Sequence, residues 1–86
     1  MDLTLIELSE AQQIFKEKRA LNIVVIGSDK RWYFRFDAFE GDELIRYVPE
    51  RQRGSLRTWA DLRIMLSLLH DWGINSGQFE IEEEKK

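Results

Sequence analysis

Residues 58–73 read Thr-Trp-Ala-Asp-Leu-Arg-Ile-Met-Leu-Ser-Leu-Leu-His-Asp-Trp-Gly and form the longest segment with helical spacing in the chain. Thr58 predicts an N-cap that Asp61 supports, and Gly73 suits the left-handed position that follows many helices. At about 100° per residue, the apolar side chains form one broad stripe. The stripe comprises Trp59, Leu62, Met65, Leu66, Leu69 and Trp72. The stretch therefore predicts a long amphipathic helix against which the core packs.

Two further apolar residues of this helix, Ile64 and Leu68, form an i, i+4 pair outside the stripe. With Tyr47, or with Val48 if that side of the third predicted strand is the unburied one, they are candidate protein-contact residues, because contiguous exposed apolar patches usually mark partner sites. Alternatively, the first helix or the segment Leu3–Leu8 covers them within a monomer. The pattern leaves both interpretations open.

The N-terminal part of the chain contains a second helical pattern. Ser9 with Gln12 predicts a capping box, and the apolar spacing that follows predicts a helix over Glu10–Ala20. Residues 1–8 have no clean period and predict an irregular lead-in or a short edge strand. The β-branched run Ile23–Ile26 predicts a strand that is covered on both faces, or nearly so.

A long alternating strand is predicted over Arg31–Phe39, after the turn residues 27–30. Its apolar residues can supply much of the core, since each buried aromatic side chain removes roughly 150–250 Å² from water. One side of the strand carries Trp32, Phe34, Phe36 and Ala38, and the other carries Arg31, Tyr33, Arg35 and Asp37.

The remaining strands are shorter. Leu44–Val48 predicts a third strand, which Pro49 ends or places at an edge. Leu56 and Arg57 are a candidate fourth strand, and Gln78–Glu82 alternates as the last one. A charged tail, residues 83–86, follows and is expected to fray.

The order of these elements predicts the fold class. Residues 1–86 form one α+β domain, a two-layer sandwich of order α-β-β-β-(β)-α-β. Short turns between the strands favour an antiparallel sheet, with both helices on one face.

Composition bears on several functional classes. The chain has no cysteine, which excludes disulfides and thiolate metal sites, and it has no apolar run of about 18 residues for a membrane span. Its first residues carry acids where a signal peptide carries positive charge. We expect a cytoplasmic protein that does not contact the membrane.

No residue pattern predicts catalysis. The single histidine, His70, lies beside Asp71 near a helix end, and Ser67 lies on the same helical face without an oxyanion or elbow motif. No second histidine stands at metal-ligand spacing, and no glycine-rich phosphate loop is present. We therefore expect no metal, no cofactor and no enzymatic activity.

Arginine is unevenly distributed. Seven of the eight arginines fall between residues 31 and 63, and residues 30–63 have a net charge of +2 in a chain of net charge −3. Guanidinium groups bind phosphates, and tyrosine on an open sheet can stack on bases. Acids near these arginines in sequence instead favour an ordinary paired surface. The candidate nucleic-acid contacts are Arg31, Tyr33, Arg35, Arg51, Arg53 and Arg57.

The C-terminal part of the chain resembles the C-terminal half of small uncharacterised bacterial proteins. The resemblance lies in Leu-Arg-Thr-Trp at 56–59, Leu69-His-Asp-Trp-Gly-Ile74 and Phe-Glu-Ile at 79–81. Some of those proteins are associated with plasmids or integrated elements. The resemblance implies a bacterial cytoplasmic protein near DNA maintenance and assigns no functional residue. The α-β-β-β-α order also resembles double-stranded-RNA-binding domains, although Thr58–Asp61 stands where their second helix begins with lysines.

Together these patterns predict a non-enzymatic interaction module. The long helix and the sheet are expected to bind a protein partner or a second copy of the chain. The alternative is a nucleic-acid-binding module that uses the arginine- and tyrosine-bearing strand with the loop around Arg51–Arg57.

Overall fold

The computed structural model describes residues 2–28, 30–51, 54–75 and 77–81, and for residues 28 and 78–81 it describes the backbone alone. The chain folds as a small α+β domain, in agreement with the prediction from the sequence. The N-terminal lead-in contains an edge strand, which is one of the two alternatives that the sequence left open. The predicted charged tail, residues 83–86, lies outside the described residues. The elements are β1 (Leu3–Ile6), α1 (Leu8–Lys16), β2 (Leu21–Ser28), β3 (Arg31–Glu40), β4 (Glu43–Pro49), α2 (Leu62–Asp71) and β5 (Gln78–Ile81).

The sheet is mixed, with strand order β1-β4-β3-β2-β5. The hairpins β2–β3 and β3–β4 are antiparallel, whereas β1 pairs in parallel with β4, and β5 with β2. The prediction of an antiparallel sheet is therefore wrong at both edges. The reason is that a helix follows β1 and another precedes β5, and strand–helix–strand crossovers join parallel strands.

The two crossovers, β1–α1–β2 and β4–α2–β5, are equivalent. Each carries the chain three positions across the sheet in the same direction. Crossovers between parallel strands are almost always right-handed. Two right-handed crossovers that move in the same direction across a sheet place their helices on the same side of that sheet.

Side chains from both helices join one core cluster with Phe34 and Phe36, which are fully buried on one side of β3. The Phe15 ring of α1 lies edge-on to Phe36 at 4.8 Å and lies 5.0 Å from Trp72, the C-cap of α2. Edge-to-face contacts of this kind add to the free energy of apolar burial. Burial of the predicted apolar stripe of the long helix is confirmed for Met65, Leu69 and Trp72, whereas Leu66 is 37% exposed.

The helix α2 begins later than the sequence predicts. Its N-cap is Asp61, whose carboxylate accepts a hydrogen bond from the Arg63 backbone N–H at 2.9 Å, and not Thr58. The backbone of Trp59 pairs with Trp32 of β3 through two hydrogen bonds, of 2.8 and 2.7 Å. This pairing holds residues 58–60 outside the helix. The Trp59 ring reaches the core from outside the helix and stacks on Phe34.

The helix α1 is displaced toward the N-terminus relative to the prediction over Glu10–Ala20. Its N-cap is Glu7, without a side-chain capping bond, so the predicted capping box of Ser9 and Gln12 is wrong. The helix ends early because Lys18 adopts φ +58, a left-handed conformation that stops helical hydrogen bonding.

Both helices end in the same motif. After α2, the Gly73 N–H donates to the carbonyl of His70 and the Ile74 N–H to that of Leu69. This is the Schellman arrangement, and Gly73 adopts φ +92 as predicted for the residue that closes the helix. After α1, Lys18 and Arg19 form the equivalent two bonds, so Lys18 occupies the position that Gly73 occupies in α2.

Other strand predictions hold with changed boundaries. Pro49 ends β4, and this strand lies inside the sheet and not at an edge. Pro49 is buried and is paired with Ile6 of β1. The predicted fourth strand at Leu56 and Arg57 is a single bridge between Leu56 and Glu50.

Candidate functional site on the open face of the sheet

The side of the sheet opposite Phe34 and Phe36 is called the open face here and carries Arg35, Asp37 and Phe39 of β3. Residues directly opposite each other on paired strands point to the same side. The register therefore extends this face across four strands as a row of Leu3, Arg46, Asp37 and Leu21. The neighbouring rows add Leu5 with Val48, and Leu44 with Phe39.

Exposed apolar side chains are concentrated on this face. Among the described residues, seven large apolar side chains are exposed, and four of them belong to the open face. Single exposed apolar residues need no explanation, but a set that shares one side of one sheet does. The four are Leu3 (54% exposed), Phe39 (53%), Leu21 (42%) and Leu5 (39%).

An ion pair between a buried carboxylate and a partly exposed guanidinium lies at the centre of the open face. Asp37 is 1% exposed, and its carboxylate accepts hydrogen bonds from the Arg46 Nε at 2.9 Å and the Asn22 Nδ2 at 2.9 Å. Asn22 reaches it because a β-bulge follows Leu21 and because Asn22 adopts φ +52. The bulge thus places an amide donor where a regular strand would place none.

This setting lowers the pKa of Asp37. Burial of the carboxylate by itself raises the pKa, since it disfavours the charged form. The hydrogen bonds from Arg46 and Asn22, with the positive charge of Arg46, outweigh burial. Asp37 is therefore ionised at neutral pH and neutralised within the chain.

Smaller apolar residues on the same face are buried, and longer side chains lie beside them on the next strand. Val24 and Ile26 are 4% and 1% exposed, and they lie opposite the half-buried Arg35 and Tyr33 in the β2–β3 register. Long side chains with an apolar stem commonly cover neighbours in this way while their polar ends stay near water. The open face is therefore packed at its centre and apolar at its periphery.

Of the six candidate nucleic-acid contacts, the structure describes five, and it does not bring those five together. Arg31, Tyr33 and Arg35 share the open face, as their alternation predicts, and an Arg31 guanidinium nitrogen donates to the Thr58 Oγ1 at 3.3 Å. Arg57 instead lies 5.1 Å above the Trp59 ring, which stacks on Phe34 on the opposite side of the sheet. Arg51 is exposed in the loop after β4, and Arg53 lies outside the described residues.

The candidate protein-contact residues are also separated. Ile64 is 60% exposed on α2, and Leu68 is half-buried against the core cluster. Tyr47 is 9% exposed and packs 5.5 Å from Phe36, so its prediction as a surface residue is wrong. Burial, and then a hydrogen bond with Glu40, raise the pKa of the Tyr47 phenol.

The sequence analysis did not identify the exposed apolar residues of the open face, although the sequence contains signals for three of the four. Phe39 continues the alternation of β3 on the side of Arg35 and Asp37, where it is the one side chain of β3 without a polar group. Leu3 and Leu5 alternate with Thr4, which fits a half-buried edge strand.

A cavity of about 530 Å³ opens between α2 and β2. Its floor is apolar, formed by Ile23, Val25 and Leu69, and Ser67 and His70 line its rim. In the part of the chain that the structure describes, no three His, Asp or Glu side chains group as potential metal ligands. Within the same residues, no helix has the length and hydropathy of a membrane span.

Comparisons with protein-family models, with curated proteins and with solved structures found no match to this chain.

Proposed function

We propose that the chain is a non-enzymatic protein-interaction module whose contact surface is the open face of the sheet. The observation that carries the proposal is the position of Leu3, Leu5, Leu21 and Phe39 on that face, where they remain exposed. Burying apolar surface is the main favourable contribution to most protein association. The prediction from the sequence used both α2 and the sheet, and the proposal keeps only the sheet.

The internal pairing of Asp37 supports this assignment. A charge at the centre of an interface is costly when the partner leaves it unpaired. Here Arg46 and Asn22 already satisfy both carboxylate oxygens. A partner can therefore cover the centre of the open face with apolar groups without having to supply a counter-charge.

Photocrosslinking tests the proposal. A photoreactive phenylalanine analogue replaces Phe39 in one variant and Ile64 in a matched variant, since the two side chains are similarly exposed, at 53% and 60%. In cells that produce the chain natively, we expect covalent protein adducts from position 39 and few from position 64. Adducts from position 64 alone would place the contact surface on α2 and refute the proposal.

Nucleic-acid binding is the second candidate, because Arg31, Tyr33 and Arg35 share the open face. It predicts low-salt binding of single- or double-stranded oligonucleotides that weakens steeply with salt, since phosphate contacts release counterions. Fluorescence anisotropy measures this, with Arg31→Gln expected to weaken binding and Arg63→Gln, on α2, expected to leave it unchanged. No anisotropy change with either probe at low salt would exclude this candidate.

A further inference from the structure

We propose that the cavity between α2 and β2 is a binding site for a small molecule with an apolar body and one positively charged amine. The cavity lies on the helix-covered side of the sheet, because Val25 and Leu69 of its floor belong to the core cluster. It is therefore separate from the open face, and this site does not depend on the proposed function. Its volume of about 530 Å³ lies within the ~300–1,000 Å³ that is typical of small-molecule sites.

The floor of the cavity selects an apolar body. Val25 and Leu69 are 5% and 3% exposed, and Ile23 and Ile74 are half-buried against the same core cluster. Leu66, which is 37% exposed, extends this apolar lining toward solvent. A ring or an alkyl chain that lies on this floor removes apolar surface of both molecules from water, and this burial favours binding.

The rim of the cavity carries polar side chains that have no partner. In the part of the chain that the structure describes, none of these side chains has a hydrogen bond or an ion pair, so their polar atoms are available to a ligand. A few polar groups around an apolar floor are the usual composition of a small-molecule site. The rim residues are Ser67, His70, Asp71 and Asn75.

The charge at the rim selects a cation. His70 and Asp71 are the titratable side chains among the described residues that line the cavity, and Asp71 carries the one formal charge when the imidazole is neutral. Asp71 is also the last residue of α2, where the negative end of the helix dipole disfavours a carboxylate. A bound ammonium group pairs with Asp71 and interacts favourably with the same helix end, so the two effects act in one direction.

A nuclear magnetic resonance titration of the isotopically labelled full chain tests the proposal. The probes are 3-phenylpropylamine, 3-phenylpropanol and 3-phenylpropionate, which share a phenyl ring and differ in charge. At about pH 8 an ordinary imidazole is neutral and a primary amine is charged. We expect the amine to shift the backbone amide signals of Ile23, Leu69 and Ile74, with a dissociation constant of roughly millimolar for a ligand of about ten non-hydrogen atoms. The alcohol should bind the same residues more weakly, and the propionate most weakly.

Asp71→Asn separates the contribution of charge from that of the apolar floor. We expect this variant to bind the amine about two- to fivefold more weakly, as for the loss of an exposed ion pair, and to bind the alcohol as the wild type does. Asp2→Asn is the matched control, because Asp2 is an exposed aspartate that precedes β1, at the opposite edge of the sheet from β5. It should bind all three probes like the wild type. Circular dichroism confirms that both variants are folded.

Amide shifts that are absent, or that centre on Leu3 and Phe39 of the open face, would overturn the proposal. A propionate that binds as tightly as the amine overturns it as well, and so do Asp71→Asn and Asp2→Asn variants that bind the amine equally. None of these outcomes decides the photocrosslinking result, because that experiment probes the other side of the sheet.

Discussion

Asp37 has the most unusual environment of the described side chains, because it is a carboxylate that is 1% exposed on the face of the sheet opposite the core. Reading the sequence placed it on a polar strand side with Arg31 and Arg35, which is correct. Its burial was not predictable, because it depends on Arg46, nine residues away, and on the bulge that aims Asn22 at it. Alternation predicts the side to which a residue points but not the neighbours that cover it.

Replacing this carboxylate should change how stability depends on pH. The folded pKa of Asp37 is lower than its unfolded value of about 3.9, so its ion pair stabilises the fold above about pH 4 and is lost as pH falls through the folded pKa. We expect Asp37→Asn to lower the unfolding free energy by about 1–3 kcal/mol at neutral pH and by much less in acid.

Urea unfolding at neutral pH and at about pH 3 measures both differences. Glu43→Gln is the control, because Glu43 is an exposed carboxylate on the neighbouring strand β4. An Asp37→Asn variant that is equally destabilised at both pH values would show that the ion pair does not produce the effect.

Element boundaries were predictable where local chemistry determines them and not where distant contacts do. Gly73 closes α2 as predicted, because this turn needs a left-handed backbone conformation and glycine adopts it without strain. The start of α2 was wrong because Trp59 pairs with Trp32, a contact between segments far apart in sequence. The parallel edges of the sheet likewise follow from the crossovers and cannot be recognised in β1 or β5 alone.

The two helix ends provide a matched stability test. Lys18 adopts φ +58 at the position that Gly73 fills after α2. Because a side chain is strained in this conformation, Lys18→Gly should raise the unfolding free energy by about 0.5–1 kcal/mol. Lys16→Gly, within the last turn of α1, should lower it by up to about 1 kcal/mol.

Thermal unfolding monitored by circular dichroism distinguishes these two variants, since 1 kcal/mol shifts the midpoint by about 4–8 °C in a domain of this size. A Lys18→Gly variant that loses stability as Lys16→Gly does would mean that α1 continues past residue 17.

At the scale of the whole molecule, the fold leaves one side of the sheet without a helix packed on it among the described elements. A chain of 86 residues has little apolar surface to spare, and both helices pack against the side that carries Phe34 and Phe36. The α+β class was predictable from the order of the elements. The exposed apolar residues of the open face were not predicted, because the apolar width of α2 directed attention to Ile64 and Leu68.

The most direct test of the open face as the contact surface is a photocrosslinking comparison across the molecule. The photoreactive residue is placed in turn at Leu3, Leu21, Phe39 and Ile64, and adduct yield is measured by mass spectrometry. We predict adducts at the three sheet positions, which lie on three different strands of one face, and few at Ile64 on α2. Equal yields at all four positions, or adducts at Ile64 alone, would contradict the assignment of this face.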